Sequence, residues 1–530
     1  MLTSPAMDKP ARKGRWLKRR PSKGPEPVGD DMSESTTERA QERVPTGVPG
    51  LDTVLHGGLL QWGVYMIQGR PGAGKTILAN QVCFHHAARG GRVLYATLLA
   101  ETHERLMFNL APLSFFDASR FPEQITYLSA FSTLEEGGLK ALVEVLRREV
   151  RARKSTLLVV DGLVTVEESA QTKRDFKKFI HELQIHANFA GCTILLLTSA
   201  NTEPVGPEHT MVDGVLELAD NRLGRRAERE LEVKKFRGSS YLRGGHAFQI
   251  TRDGIVVLPR LEALLQEPSR EDPCKTERAS TGIAQLDRML HGGLPCASTS
   301  VLFGPTGAGK TTFGLQFLDE SSKDEPGLLF GFYETPPRIL LKARALGLNL
   351  EKKQKQGVLD ILWHPPTERI LDGLGNKLLA AVHERGVKRL FIDGVDGFQQ
   401  SAAHPERISH FLAALTNELR VLGVTTIYTS ELQEMFSADV RLPISGISSL
   451  VENIFFLRFV ELRSRVYRML SVVKVRDSDY DSTLREYRIT SRGIELADTF
   501  ESAESILTGD AKAASGSRPK RKGLLRKRSR

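Results

Sequence analysis

Short apolar runs of three to six residues, rich in Val, Ile and Leu, recur through the middle of the chain and alternate with longer segments. Runs of this kind, bounded by turn residues, are typical of strands buried on both faces of a parallel sheet. Two of these runs lead into glycine-rich loops, and the segments after the loops predict helices at Ile77–Ala88 and Thr312–Leu318. The predicted strands are Val64–Gln68, Val93–Leu98, Leu157–Val160 and Thr193–Thr198 in the first half, and Ser300–Phe303, Leu328–Phe332, Leu390–Ile392 and Thr425–Thr429 in the second.

This order of elements occurs twice. The segment T-G-V-P-G-L-D at 46–52, followed by H-G-G-L at 56–59, recurs 235 residues later as T-G-I-A-Q-L-D at 281–287 and H-G-G-L at 291–294. A repeat of this length predicts two domains, each large enough for its own core. The fold class we predict is α/β, with two tandem domains that each contain a mainly parallel sheet covered by helices. The predicted domains span 44–265 and 281–507, with 266–280 as the linker.

The two ends of the chain differ from this body. Residues 1–43 have many Pro, Ser and charged residues and almost no aliphatic ones, which predicts a disordered basic arm. Residues 508–530 are predicted to form a disordered basic tail. The net charge of +10 lies at these ends, since residues 1–24 carry +7 and residues 511–530 carry +9, leaving about −6 for the rest. Nucleic acid or acidic lipid could therefore bind only through the ends, and a charge run that merely solvates a terminus is the simpler alternative.

The cysteines and the apolar content narrow the class of protein. Cys83, Cys192, Cys274 and Cys296 lie far apart with no C-x-x-C pair, so neither a zinc ribbon nor a disulfide framework is suggested. No apolar run follows the basic N-terminus, and no uninterrupted stretch approaches 18 residues. We therefore expect a cytoplasmic protein without a membrane span.

A glycine-rich loop of pattern G-x-x-x-x-G-K-T follows the first strand of each domain, at 69–76 and at 304–311. Such a loop surrounds a β-phosphate with backbone N–H groups at a helix N-terminus. Its lysine reaches the β- and γ-oxygens, and its threonine binds Mg²⁺. Two copies, each between a strand and a helix, predict ATP and Mg²⁺ in both domains. The predicted nucleotide-binding residues are Gly69, Gly72, Gly74, Lys75, Thr76, Gly304, Gly307, Gly309, Lys310, Thr311 and Thr312.

Carboxylates follow two strands of each domain. Asp161 and Asp393 end apolar runs and are predicted to hold Mg²⁺ through water, together with Thr76 and Thr311, although such an Asp is often only a turn residue. Glu101 and Glu334 follow the second strands, where a carboxylate could orient or deprotonate the attacking water. The alternative for this pair is an acid at a helix N-terminus, favoured by the helix dipole.

A basic pair at strand-like spacing lies near the end of each domain. The first pair is Lys235 and Arg237, and the second is Lys474 and Arg476. Side chains two residues apart on a strand point the same way and could together offer positive charge to a phosphate. Taken alone, a solvated edge strand is the commoner explanation.

Together these motifs resemble the KaiC family of RecA-like ATPases, double-domain proteins whose founding member is the bacterial circadian-clock kinase. The resemblance covers about 44–507, and the repeated lead-in T-G-[IV]-x-x-L-D…H-G-G-L is what distinguishes it from a generic phosphate-loop match. It implies RecA-like domains that each form a six-membered ring, a homo-hexameric double ring overall, with ATP between neighbours. The basic pairs would then reach the γ-phosphate held by a neighbour, and a further protein partner is expected.

The family resemblance also implies autophosphorylation in the second domain. Family members carry adjacent hydroxyl residues that accept phosphate, in a stretch that resembles G-I-S-S-L-V-E at 446–452. Ser448 and Ser449 are the corresponding residues, although a Ser pair is often only part of a turn. The implied activities are ATP hydrolysis and serine/threonine autokinase activity, used in signalling or timing.

Two features depart from the family pattern. Family members usually carry two consecutive carboxylates after the second strand, whereas this chain has Ala100-Glu101 and Tyr333-Glu334. Catalysis is then expected to be slow or to depend on Glu101 and Glu334 alone. The short basic tail after Gly509 is unlike the family's partner-binding segment, which argues against a role in a circadian clock.

Two other functions are compatible with the same fold. One is a DNA-translocating or recombinase-type motor, whose central loops carry basic residues for the phosphate backbone. In the loops Ser199–Val212 and Ser430–Ile447, Arg441 is the only Arg or Lys, which disfavours threading of DNA. The other is a nucleotide-dependent scaffold with vestigial hydrolysis, which the missing first carboxylates keep open.

Overall fold

The computed structural model describes residues 42–99, 103–199, 208–271, 276–367, 370–432, 446–462, 465–476 and 478–497. The chain divides between Leu264 and Leu265 into two compact units. The predicted tail, and the predicted arm up to residue 41, lie outside the described residues, as do Glu101 and Arg441.

The first unit contains eleven strands and eight helices within its described residues, with a short 3₁₀ helix at Ala118–Arg120. Its strands are β1 (Arg43–Val44), β2 (Leu59–Leu60), β3 (Val64–Gly69), β4 (Val93–Thr97), β5 (Ile125–Ser129), β6 (Leu157–Asp161), β7 (Thr193–Thr198), β8 (Gly214–Leu223), β9 (Arg226–Phe236), β10 (Gly245–Thr251) and β11 (Gly254–Leu258). Its helices are α1 (Leu51–Val54), α2 (Lys75–Ala88), α3 (His103–Leu110), α4 (Phe131–Arg153), α5 (Leu163–Ser169), α6 (Lys173–Ala190), α7 (Glu208–Met211) and α8 (Leu261–Leu264).

The described part of the second unit repeats this plan, with a 3₁₀ helix at Pro405–Arg407. Its strands are β12 (Arg278–Ala279), β13 (Leu294–Pro295), β14 (Thr299–Gly304), β15 (Gly327–Gly331), β16 (Leu359–Trp363), β17 (Arg389–Asp393), β18 (Thr425–Glu431), β19 (Asn453–Leu462), β20 (Arg465–Val475), β21 (Arg485–Thr490) and β22 (Gly493–Leu496). Its helices are α9 (Ala284–Met289), α10 (Lys310–Asp319), α11 (Pro336–Ala345), α12 (Leu350–Lys355), α13 (Leu371–Arg385), α14 (Asp396–Ser401), α15 (Ile408–Val421) and α16 (Ile447–Leu450).

Each unit is built on a nine-stranded sheet. The strand order is β11-β10-β9-β8-β3-β7-β6-β4-β5 in the first unit and β22-β21-β20-β19-β14-β18-β17-β15-β16 in the second. In both sheets the six strands at the β5 or β16 end are parallel, and the remaining three continue the sheet antiparallel. The predicted fold class, tandem α/β domains with mainly parallel sheets, is confirmed.

Both faces of the first sheet are buried. Along β3, Tyr65 and Ile67 belong to one hydrophobic core, and Val64 and Met66 belong to another. Helix α2 packs into the first of these cores, and α4 and α6 pack into the second. The continuous apolar runs of the sequence are therefore strands covered by helices on both sides.

The repeated lead-in forms a structural turn in both units. Asp52 accepts hydrogen bonds from the backbone N–H and the hydroxyl of Thr46, at 2.9 and 2.6 Å, and Asp287 accepts the same two from Thr281, at 2.8 and 2.7 Å. The H-G-G-L segment then turns the chain into the second strand of a two-stranded ladder. Gly58 has a φ of 111°, and a Cβ there would lie 2.5 Å from the carbonyl oxygen of Val44. The motif is thus explained by chain geometry at the entrance to each domain.

Candidate nucleotide sites

The glycine-rich loop connects the central strand to a helix in each unit. Strand β3 ends at Gly69 and α2 begins at Lys75, just as β14 ends at Gly304 and α10 begins at Lys310. The Lys75 ammonium donates to the carbonyls of Gly69 and Arg70 at 2.6 and 3.2 Å. The Lys310 ammonium donates to the carbonyls of Gly304 and Pro305 at 2.7 and 3.0 Å. Each amine therefore lies over its own loop, and burial lowers its pKa.

The shape of each loop fits a phosphate. Gly72 and Gly307 have left-handed backbone conformations, with φ of 83° and 79°, and a Cβ at either position would meet nothing within 4 Å. The tip of each loop is therefore open. Gly74 and Gly309, also left-handed, directly precede the helices, so the first helical N–H groups face the loop. Thr312, the remaining predicted contact, is buried in the first turn of α10.

In the first unit, Asp161 at the end of β6 lies beside the threonine of the loop. Its Oδ2 accepts hydrogen bonds from the Thr76 hydroxyl at 3.3 Å and from the Tyr95 hydroxyl at 2.7 Å. Tyr95 is fully buried in β4, and burial together with the Asp161 charge raises its pKa well above the usual range. Tyr95 therefore remains a donor and fixes Asp161, a role that the sequence analysis did not assign.

In the second unit, Asp393 at the end of β17 takes the same position with different partners. Its Oδ2 accepts from the Thr311 hydroxyl at 3.0 Å, and its Oδ1 accepts from the Thr429 hydroxyl at 2.9 Å. The same Thr429 oxygen accepts a bond of 2.7 Å from the Gly394 N–H. Burial raises the pKa of Asp393, and the two threonine hydroxyls partly oppose this shift.

The second site also has a group of acids near its loop. Glu431, at the end of β18, accepts a hydrogen bond from Thr306 in the loop. Asp396 accepts from the Ser430 hydroxyl at 2.9 Å and from the Glu431 N–H at 3.0 Å, and burial raises its pKa. In the first unit, Ser199 takes the strand position of Glu431, and Val164 the position three residues beyond Asp161 that matches Asp396. The two sites are thus electrostatically different.

Glu334 lies at the second site, beyond the end of β15. Its carboxylate forms an ion pair with Lys342 of α11, and its charge acts on Asp393. The preceding residue, Tyr333, is half-exposed, and burial together with the charges of Asp396 and Glu431 raises its pKa to about 12. Glu101, its predicted counterpart, lies outside the described residues.

The two glutamates are not at equivalent distances from their strands. Thr97 pairs with Asp161 in the first sheet, and Gly331 pairs with Asp393 in the second. Glu334 lies three residues after Gly331 in the sequence, whereas Glu101 lies four residues after Thr97. Measured from these equivalent strand residues, the two glutamates are therefore offset by one residue.

The basic pairs lie together with the segment that precedes the sixth parallel strand, β8 or β19. Lys474 donates to the carbonyls of Ser448 and Val451, at 2.9 and 2.8 Å. In the first unit, Lys235 donates to the carbonyls of Thr210 and Val212, at 3.0 and 2.6 Å. Burial lowers the pKa of each lysine, and the adjacent arginine lowers it further.

The arginines of the two pairs also contact this segment through their backbones. The Arg237 N–H donates to the Asp213 carbonyl at 2.7 Å, and the Arg476 N–H donates to the Glu452 carbonyl at 3.0 Å. Ser448 is partly buried in α16, whereas Ser449 is exposed and its hydroxyl donates to the Gly446 carbonyl at 2.7 Å. The structure thus brings the basic pair and the two serines together.

These residues lie at the opposite edge of the sheet from the phosphate loop of the same unit. Lys474 pairs with Ile454, which pairs with Val301 near the start of β14. The loop begins at Gly304, about 10 Å beyond Val301 along the strand direction. Strand β14 is also two strands away from β20, which is about 10 Å across the sheet. The Lys474 ammonium also faces Ser448 and Val451. The first unit has the same arrangement, since Lys235 pairs with Val215 and Val215 with Met66.

This geometry of two phosphate loops agrees with comparisons to known proteins. The family model described as "ATPase: KaiC" matches residues 44–262 and 279–500. The chain belongs to the KaiC ATPase family. The prediction of a KaiC-like ATPase is therefore confirmed, and both units are KaiC ATPase domains.

Similar proteins carry the name "Circadian clock oscillator protein KaiC". The one from Parathermosynechococcus lividus is 26% identical over 505 residues, covering 91% of each chain. The one from a Nostoc species is 27% identical over 497 residues, covering 90% of this chain and 93% of that protein. The one from Thermostichus vulcanus is 26% identical over 501 residues, covering 90% and 94%. Among its described residues, this KaiC-family chain has no helix that is both long and apolar enough to cross a membrane.

Proposed function

We propose that this chain assembles into a homo-hexameric double ring that hydrolyses ATP with Mg²⁺ in both units and phosphorylates its own Ser448 or Ser449 in the second unit. It would act in signalling or timing with a further protein partner, as the names of its relatives suggest. We propose the cytoplasm as its compartment, since Cys83 and Cys192 are buried free thiols.

The observation that carries this proposal is the distance within one unit between the phosphate loop and the serines. The loop follows the carboxyl end of β14, whereas Ser448 and Lys474 lie near the amino end of the same sheet. In-line transfer requires the hydroxyl to lie within about 3–3.5 Å of the γ-phosphorus. The arrangement therefore supports transfer from ATP held by one copy to the serine of a neighbour.

Exposed apolar side chains beside both nucleotide sites support self-association. Phe108 is the sixth residue of α3 and is 79% exposed, and Leu341 is the sixth residue of α11 and is 66% exposed. Leu99 and Tyr333, which follow the strands before these helices, are 41% and 52% exposed. Apolar residues exposed at matching positions of both units are typical of a surface that a second copy covers.

The described residues fit the proposed metal. The oxygens of Thr76 and Asp161 lie together in the first site, and those of Thr311 and Asp393 in the second. Hydroxyl and carboxylate oxygens are the ligands that Mg²⁺ prefers, directly or through water. When bound, the ion would neutralise charge on the phosphates. Lys75 and Lys310 would exchange their bonds to loop carbonyls for bonds to phosphate, and Glu334 would take the proton of the attacking hydroxyl or water.

Incubation with γ-labelled ATP, followed by peptide mass spectrometry, tests the kinase part. Label should be found on Ser448 or Ser449, should be lost in Lys310→Ala and should remain in Lys75→Ala. These two variants are matched controls, because each removes the same lysine from one of two equivalent loops. Active hydrolysis with no label on either serine would leave the ATPase and reject the autokinase.

A further inference from the structure

The segment of the first unit that matches the proposed acceptor segment also carries a hydroxyl. Gly214, the first residue of β8, pairs with Tyr65, and Asn453, the first residue of β19, pairs with Ser300. Tyr65 and Ser300 are the second residues of the two central strands, so Gly214 is equivalent to Asn453. Counting back, Asp213 matches Glu452 and Thr210 matches Ser449. The side chains of Asp213 and Glu452 confirm this register, because each accepts a hydrogen bond from the first N–H of its central strand, at 2.9 and 2.8 Å.

The surroundings of Thr210 resemble those of the serines, with one difference. Lys235 contacts the residue that matches Ser449, whereas Lys474 contacts Ser448. Lys235 donates to the carbonyls of Thr210 and Val212, as Lys474 does to those of Ser448 and Val451. The guanidinium of Arg237 also donates to the Thr210 carbonyl, at 2.7 Å. Both members of the first basic pair therefore contact the backbone of a single residue, and that residue is an exposed threonine.

We infer that Thr210 is a phosphate acceptor of the first unit, modified by ATP held in the first-unit site of a neighbouring copy. This inference rests on the proposed ring, in which Lys235 and Arg237 meet the γ-phosphate of the neighbour. A residue whose carbonyl is bonded to both cations lies at the γ-phosphate when they do. Its side-chain hydroxyl belongs to the residue that both cations contact, which brings a nucleophile to the transferred group.

The transfer balances without any further reactant. The Oγ1 atom of Thr210 bonds to the γ-phosphorus while the bond from that phosphorus to the β,γ-bridging oxygen breaks. ADP leaves with the electron pair of the broken bond, and the hydroxyl proton passes to water. Phosphothreonine adds about −1.5 to −2 charges beside Lys235 and Arg237.

Labelling of the full chain with γ-labelled ATP tests the inference. Phosphate should be found on the peptide that contains Thr210, should disappear in Lys75→Ala and should remain in Lys310→Ala, the reverse of the pattern for Ser448 and Ser449. Thr210→Val should abolish this label, and Thr210→Ser should restore it as phosphoserine. The control is Thr126→Val, which removes a hydroxyl from β5 at the far edge of the same sheet and should leave the label unchanged.

The outcomes separate this inference from the proposed function. Label on the serines with none on Thr210 overturns the inference and leaves the second-unit autokinase intact. Label on Thr210 alone supports the inference and rejects the serines as acceptors. Label on Thr210 formed by protein that is monomeric throughout the incubation, as judged by size exclusion, also overturns it, because the geometry requires a second copy.

Discussion

Two different hydroxyls fix the equivalent aspartates of the nucleotide sites. Asp161 is held by Tyr95, and the matching position in the second unit is Leu329. Asp393 is held by Thr429, and the matching position in the first unit is Leu197. Each site thus obtains its second donor from a different neighbouring strand. Both arrangements leave a carboxylate facing the loop threonine.

Tyr95→Phe should weaken Mg²⁺-dependent ATP binding at the first site by roughly ten- to a hundredfold, because it removes a hydrogen bond to a charged group worth roughly 1.5–3 kcal/mol. The measurement is a Mg²⁺ titration of ATP binding in a Lys310→Ala background. Tyr428→Phe is the matched control, since it removes a fully buried hydroxyl bonded to Thr416 in the second unit. An unchanged Mg²⁺ requirement in Tyr95→Phe would contradict a positioning role.

The raised pKa of Asp393 predicts a pH dependence of the second site. Protons compete with Mg²⁺ for this carboxylate, so affinity should fall by up to about tenfold for each pH unit below its pKa. The fall should begin above the ordinary Asp value of 3.8. The shift also lowers the free energy of unfolding at neutral pH, because the unfolded chain ionises more readily; this cost disappears as pH falls below the unfolded pKa.

ATP binding by Lys75→Ala from pH 7 down to pH 4, with and without Mg²⁺, measures this effect. Asp393→Asn is the control, because an amide does not titrate in that range. Its Mg²⁺-dependent binding should be weak and independent of pH. A flat profile in the protein that retains Asp393 would show that the aspartate is not the group that titrates.

The sequence predicted the loop residues and the strand-ending aspartates because each belongs to a local pattern. Tyr95, Thr429 and Glu431 are in no such pattern, since they reach the site only through the pairing of strands distant in sequence. A signal was present, however, in the polar T-S-E at 429–431, which follows Ile427 and Tyr428 at the end of β18. The roles of the glutamates and basic pairs remain predictions.

At the level of elements, the lead-in motif provides a separate test. Asp287 accepts three hydrogen bonds, two from Thr281 and one of 2.7 Å from the Ser280 hydroxyl. Asp287→Ala should lower the free energy of unfolding of the second unit by about 1–3 kcal/mol while ATP binding is retained. Urea denaturation and nucleotide titration measure the two effects. Asp324→Ala, at an exposed position of the same unit, should change stability by less than about 0.5 kcal/mol.

The opposite result, loss of ATP binding with unchanged stability, would mean that the lead-in acts on the nucleotide and not on the fold.

The sequence did not predict the long hairpins formed by β8 with β9 and by β19 with β20. Strand β9 reads R-A-E-R-E-L-E-V-K-K-F, and its many charged residues have low strand propensity. It is held by its ladder with β8 and by pairs such as Lys234 with Glu217, 3.3 Å apart. Such cross-strand contacts are absent from any local pattern.

For the whole molecule, the proposed shared sites predict rescue in mixtures. Lys75→Ala and Arg237→Ala, both in a Lys310→Ala background, should each lack first-unit hydrolysis. Mixed in equal amounts, they should recover about a quarter of it, because one interface in four then joins an intact loop to an intact pair. ATP turnover after co-assembly measures the recovery. No recovery in mixtures that co-assemble, as judged by light scattering, would argue that each pair acts within its own chain.

The opposite positions of loop and basic pair on one sheet make the proposed contact head-to-tail. In an open row of copies, the phosphate loop at one end has no basic pair from a neighbour, and the basic pair at the other end has no neighbouring nucleotide. A closed ring has neither kind of incomplete end. An open row of three copies would turn over about two thirds as much ATP per chain as a closed assembly. ATP turnover per chain would then be proportional to the number of complete interfaces per chain, and it would rise when an open row closes into a ring.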